Sequence, residues 1–201
     1  MLTTAEIISR FNLQVDDASE LSSDEELALA NEVYNTICND RPWEWLKRVY
    51  TSVTSTTVSY VALPSDFKEL SPNSYNKSVV FVGTDRAEYI VVPLSSRRDY
   101  YNTDGYCYID IPNQRLYFMK QPTEVKAIEY DYVSYPTALT TATSPLFNSR
   151  YHEMVSYGMA AKFSNIDQED KSKSYKSDNK QAYEDFMFDL RTEDANIKLS
   201  M

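Results

Sequence analysis

Between Asp40 and Lys47 the apolar residues of this chain change period, and past Pro145 they change back. Ahead of Asp40 they recur at i, i+3, i+4 and i+7, as in a helix that buries one stripe. From about Val49 to Val133 they tend to alternate, as in half-exposed strands. The expected fold is therefore α+β: an antiparallel α-helical bundle over residues 1–48 and 145–201, with a small antiparallel β-sandwich or barrel inserted at 49–144.

Thr3 and Glu6 have capping-box spacing ahead of Ile7, Ile8 and Phe11, which predicts a first helix over 4–14. Ser23 and Glu26 repeat the device, and Leu27, Ala30, Val33, Tyr34 and Ile37 extend a second helix to about Asn39. At the change of period, Arg41-Pro42-Trp43-Glu44-Trp45-Leu46 holds both tryptophans. Two accounts fit the pair: a plug between helical and sheet layers, each ring burying on the order of 200 Å², or an exposed anchor for a partner. Leu63-Pro64-Ser65-Asp66-Phe67 interrupts the strand pattern, because proline denies a ladder its donor. Trp43, Trp45, Leu63, Pro64 and Phe67 together form the expected structural seam. Five to seven short antiparallel strands are expected, with Tyr106–Asp110 and Arg115–Met119 as the best hairpin. Leu94–Tyr101 is expected to form one or two helical turns over a sheet edge.

Phe147, Tyr151, Met154, Val155, Gly158, Met159 and Phe163 fall near one side of a third helix. Gly158 there costs about 1 kcal/mol relative to alanine, which close approach of a neighbouring helix explains. A fourth helix is expected over about 169–194, with Tyr175, Ala182, Tyr183, Phe186 and Leu190 in helical spacing. Phe186, Met187 and Phe188 are consecutive and span more of that helix than one core-facing stripe needs. Phe186, Phe188 and Leu190, with Ile197, Leu199 and Met201 in the tail, are thus candidates for a self-association or partner interface. The tail itself is expected to be a frayed end or a strand-like arm.

Chemistry is hard to find. The chain of 201 residues carries a net charge of −10, which argues against tight nucleic-acid binding, since phosphate contact needs basic surface. Three glycines are too few for phosphate-cradling loops, whereas seventeen tyrosines suit strands and protein contacts. The single histidine, His152, precedes Glu153, but Ser156 stands where a metalloprotease motif needs its second zinc ligand. It is expected to be a helix-surface or packed histidine. Asn102, Asp104 and Gly105 resemble a calcium loop only at its start and suit a turn. The acidic pairs Asp16-Asp17 and Glu184-Asp185 diverge in direction and suit solvated surface. Cys38 and Cys107 are expected to be buried free thiols. No catalytic, cofactor or metal site is expected. With no apolar run of membrane length and no signal-like N-terminus, a cytosolic product with no membrane contact is expected.

The order helix, helix, tryptophan seam, β insertion, helix, helix, with Arg41–Leu46, Leu63–Leu70 and Pro145–Val155, resembles the head-to-tail adaptor (connector) proteins of short-tailed double-stranded DNA phages. The resemblance implies a virion neck protein, made in the host bacterial cytoplasm, that forms a ring of about twelve copies under the portal protein. It also implies that a helical bundle builds the ring, that the C-terminal segment meets the portal, and that the β part faces outward or toward a downstream tail or nozzle protein. DNA then passes through without sequence-specific binding. A monomeric β-sandwich binding module for carbohydrate or protein, using the tyrosines around Tyr100–Tyr108, is the rival expectation.

Overall fold

The structure is a computed structural model describing residues 1–15, 21–72, 77–163 and 172–200, with side chains of the last stretch described over 178–197. The chain divides into two compact units: Met1–Trp45 with Pro136–Met201, and Leu46–Tyr135.

The first unit contains α1 (Thr4–Gln14), α2 (Ser23–Asn39), α3 (Glu153–Phe163) and α4 (Ser172–Ser200). The Glu6 N–H donates to the Thr3 hydroxyl, and the Thr3 N–H donates to the Glu6 carboxylate at 2.7 Å, so the capping box starts α1 where the sequence places it. The α2 cap is Ser22 with Glu25, one residue ahead of the expected Ser23 and Glu26. Both pairs have the required spacing; Ser22 is the one with extended backbone, and Ser23 is already helical.

Helix α3 packs against α1, α2 and α4. It buries Met154, Val155, Ser156, Gly158, Met159, Ala160 and Phe163, which is more than one face. A Cβ built on Gly158 would lie 2.6 Å from Val33 Cγ1 and 3.1 Å from the Tyr183 ring, so glycine lets α2 and α4 close on α3 at one point. Phe11 meets Phe163 edge-on at 5.7 Å, joining α1 to the far end of α3.

The Pro136–Leu146 loop, which the sequence assigns mostly to the β insertion, is tied to helices. Thr4 N–H donates to the Thr143 carbonyl at 2.7 Å and Ala5 N–H to Thr141. Asn31 exchanges two hydrogen bonds with the Leu139 backbone at 2.7 and 3.0 Å.

Trp43 is fully buried, stacks on Trp45 at 4.3 Å and donates its indole N–H to the Ile37 carbonyl at 2.7 Å. Trp45 meets Phe147 edge-on at 5.9 Å. All these partners belong to the helical unit, whereas Leu63 and Phe67 lie in the core of the other unit and Pro64 is half-buried. The five seam residues thus divide between two cores.

Among the described residues the second unit is an eight-stranded sheet: β1 (Lys47–Val53), β2 (Tyr60–Ala62), β3 (Phe67–Leu70), β4 (Val79–Val82), β5 (Ala87–Val91), β6 (Tyr106–Asp110), β7 (Arg115–Phe118) and β8 (Ala127–Ser134). The spatial order is β1-β8-β4-β5-β6-β7-β2, with β3 also paired to β8. The expected all-antiparallel arrangement is corrected at one place, because β5 and β6 run parallel. Residues 92–105 between them, with a helical turn at Leu94–Ser96, are long enough for the crossover that parallel neighbours require. Among the described residues the strand count also exceeds five to seven, because the pattern between Val49 and Val61 breaks into β1 and β2 and because β3 forms directly after the Leu63–Phe67 interruption, where no strand is expected.

The end strands approach each other where the Tyr50 hydroxyl donates to the Ala62 carbonyl at 3.2 Å, so the sheet nearly closes into a barrel. Val80, Val82, Cys107, Leu116, Ile128 and Tyr130 fill its interior.

Candidate interaction surfaces

Helix α4 has two faces of different character. Met187 and Leu190 are buried, and Asp194 accepts the Glu44 N–H at 3.0 Å, so this side belongs to the unit's own core. Phe186 is half-buried, stacked on Tyr157 at 5.8 Å and edge-on to Tyr151. Two polar clamps hold the helix. Arg191 pairs with Asp40 just past α2, with an Nε–Oδ2 distance of 2.9 Å, and this hydrogen bond holds the Asp40 carboxyl below its ordinary value. Glu193 accepts the Tyr151 hydroxyl at 2.7 Å and Asn148 Nδ2 at 2.9 Å. Those bonds lower the Glu193 pKa, while burial and the same bond push Tyr151 up to about 12.

On the outer face Phe188 is 69% exposed. Glu184 and Asp185, one turn before it, and Asp189 beside it are also exposed. Ile197, nine residues further on, turns to the core-facing side at about 100° per residue and is 41% exposed. The expected interface set is therefore not one patch: Leu190 is interior, Phe186 packs on aromatics of its own unit, and Phe188 and Ile197 point apart. The helix continues through Ser200, so the tail is not a strand-like arm. The Leu199, Met201 and Tyr175 side chains and the Asp16-Asp17 pair lie outside the described residues.

A second surface lies on the sheet. In β6, β7 and β2, Cys107, Leu116 and Val61 point inward, so their sequence neighbours Tyr108, Tyr117 and Tyr60 share the outer face, directly opposite one another. Tyr108 stacks on Tyr117 at 5.1 Å and 7°, Tyr117 meets Tyr60 at 5.4 Å, and the Arg115 guanidinium covers Tyr60 at 4.0 Å. Tyr108 and Tyr117 floor a groove of about 710 Å³ whose walls include Arg97, Arg98, Tyr101 and Gln121. Tyr101 is 81% exposed, and both arginines are exposed. The sequence marks Tyr100–Tyr108 as an aromatic cluster but misses Tyr60 and Tyr117. Their signal was available: Arg115-Leu116-Tyr117 continues the alternation across the hairpin.

Charge also separates by unit. Residues 46–135 carry ten basic and ten acidic side chains, the remainder ten and twenty, so the net −10 belongs to the helical unit.

His152 is fully buried: its Nε2 is 3.0 Å from the Phe147 carbonyl and its Nδ1 lies against the Leu2 backbone. It is the packed histidine of the two expected kinds, a structural bracket for the residues before α1. Asp104 accepts the Tyr89 hydroxyl at 2.7 Å and the Gly105 N–H at 3.0 Å, so it serves the turn before β6. Among the described residues no three His, Cys, Asp or Glu side chains cluster closely enough to hold a metal ion. No described helix is long and apolar enough to cross a membrane.

Comparison with curated proteins finds no match. The model of one protein family does match, over residues 2–197, which takes in both units and both surfaces. The chain belongs to the SU10 adaptor protein family.

Proposed function

We propose that this chain is a structural protein of a phage virion, a head-to-tail adaptor in the neck of a short-tailed double-stranded DNA phage. Copies assemble as a closed ring of about twelve under the portal protein, and the ring carries a downstream tail or nozzle protein. The helical unit builds the ring as an antiparallel bundle, and DNA passes through the bore without sequence-specific binding. The observation that carries this reading is the family match across nearly the whole chain. The charge separation supports it, because a helical unit with twice as many acids as bases suits a wall past which phosphate must slide without sticking. The exposed Phe188 on α4 supports a protein contact there.

Mass photometry of the purified chain, alone and mixed with the portal protein encoded in the same genome, tests the proposal. A portal peak heavier by about twelve chain masses is the expected result. An unshifted portal peak with the chain still monomeric would overturn it. The second reading, a binding module for carbohydrate or protein, rests on the tyrosine-floored groove of the β unit. Saturable binding of a soluble oligosaccharide to a chain that never assembles would establish that reading instead.

A further inference from the structure

The two exposed surfaces are chemical complements. The groove of the β unit presents Arg97 and Arg98 above a tyrosine floor, and neither arginine has an ion-pair partner among the described residues. The outer face of α4 presents the Phe188 ring beside Asp185 and Asp189, which follow one another along the helix one turn apart, and neither aspartate has a cationic partner among the described residues. Asp185 accepts from Gln181 and Arg97 is hydrogen-bonded to Tyr108, but none of the four has a counter-ion among the described residues, and each set gains most by meeting the opposite sign in a place that also removes aromatic surface from water.

We infer that the outer face of α4 in one copy docks in the tyrosine–arginine groove of the next, with Phe188 against Tyr108 and Tyr117 and with Asp185 and Asp189 against Arg97 and Arg98. This contact rests on the adaptor reading and adds, to the ring that the helical units build, a link from each helical unit to the β unit of the next copy. The argument is charge complementarity: the acidic excess lies wholly in the helical unit, and the groove lies in a unit with no excess of its own. A groove of about 710 Å³ has room for a phenyl ring with its flanking carboxylates. Aromatic and arginine side chains are also those that dominate interface hot spots. Because the two surfaces differ, the contact is head-to-tail, the type that generates rings when the rotation closes.

Charge reversal in the full-length chain tests it. The groove variant is Arg97→Glu with Arg98→Glu, and the face variant is Asp185→Arg with Asp189→Arg. All four side chains are exposed, so thermal melting should match that of the parent. Each variant alone should assemble at least about tenfold more weakly than the parent, with or without portal. The two variants mixed in equal amounts should assemble again, since each bears a surface complementary to the other, and so should one chain carrying all four changes. Phe188→Ala should weaken assembly without altering charge. Variants that assemble like the parent, or losses that neither mixing nor combination restores, would overturn the contact and leave the adaptor reading standing. A parent chain that forms no assembly with portal would overturn both.

Discussion

Replacing Gly158 with alanine sets two known effects against each other. A helix interior gains about 1 kcal/mol when glycine becomes alanine. The added methyl, however, would stand 2.6 Å from Val33 Cγ1 and 3.1 Å from the Tyr183 ring, and Val33 is a buried, β-branched side chain with little freedom to turn away. Overpacking of that kind costs about 1–3 kcal/mol, so Gly158→Ala should destabilise the helical unit by about 1 kcal/mol despite its better propensity. Val33→Ala removes two buried methyl groups and leaves a small void, for a loss of about 2–3 kcal/mol. In the double variant the new methyl enters the space Val33 vacates, relieves the clash there and recovers the propensity gain. Its total cost should be about 1–2 kcal/mol, where simple addition gives about 3–4, a coupling of about 2 kcal/mol. Urea titration followed by tryptophan fluorescence reads this unit selectively, because Trp43 and Trp45 both lie in it. Coupling below about 0.5 kcal/mol would refute the claim that Gly158 exists to admit Val33.

The Tyr130 hydroxyl is buried inside the barrel with no hydrogen-bond partner among the described residues. Tyr130→Phe should therefore be neutral or stabilise by up to about 1 kcal/mol in thermal denaturation, and a clear loss would mean the hydroxyl is paired. Asp40 has its pKa held below the ordinary 3.8 by Arg191, so its contribution is present above that value and lost as pH falls through the lowered one. The stability gap between the parent and Asp40→Asn should thus close below about pH 4, and a gap that persists at lower pH would refute the linkage. Burial pushes the Cys107 thiol up to about 12, so a thiol reagent at neutral pH should label it only at the rate of unfolding.

Much of this architecture could be read from local pattern. Thr3 with Glu6, the stripe from Ala30 to Ile37, and the alternation on both sides of Pro112-Asn113 each encode an element within a few residues, and those elements are where expected. Gly158 was legible for a related reason: a glycine amid strong helix formers signals a steric demand. What escaped depends on partners far away in the chain. The parallel pairing of β5 and β6 is decided by the reach of the connection between them, and the alternation within either strand says nothing about its neighbour's direction. Ser22 and Ser23 both offer a capping box, and only backbone conformation chooses. For the candidate surfaces, Phe188 was singled out by crowding of apolar residues, but its separation from Leu190 and Ile197 needed the position of α3. Arg97 and Arg98 were visible only as part of one or two helical turns over a sheet edge; the groove they wall is completed by β6, β7 and the segments beside them, which come from elsewhere in the chain.

Strand β8 pairs with β1 along one edge and with β4 and β3 in succession along the other, and its pairing of Val133 with Lys47 joins positions 86 residues apart (133 − 47). The nascent polypeptide therefore has no complete sheet until residue 134 has left the ribosome, and α1 and α2 wait still longer for α3 to cover them. An unfinished chain holds exposed apolar helices and unpaired strands, the state in which a chain is most prone to aggregate. The outer face of α4, translated after all of these, reaches its final setting only on a chain whose earlier parts can already fold. A chain that stops short of α4 thus lacks that face and also leaves α3 without one of the helices that cover it.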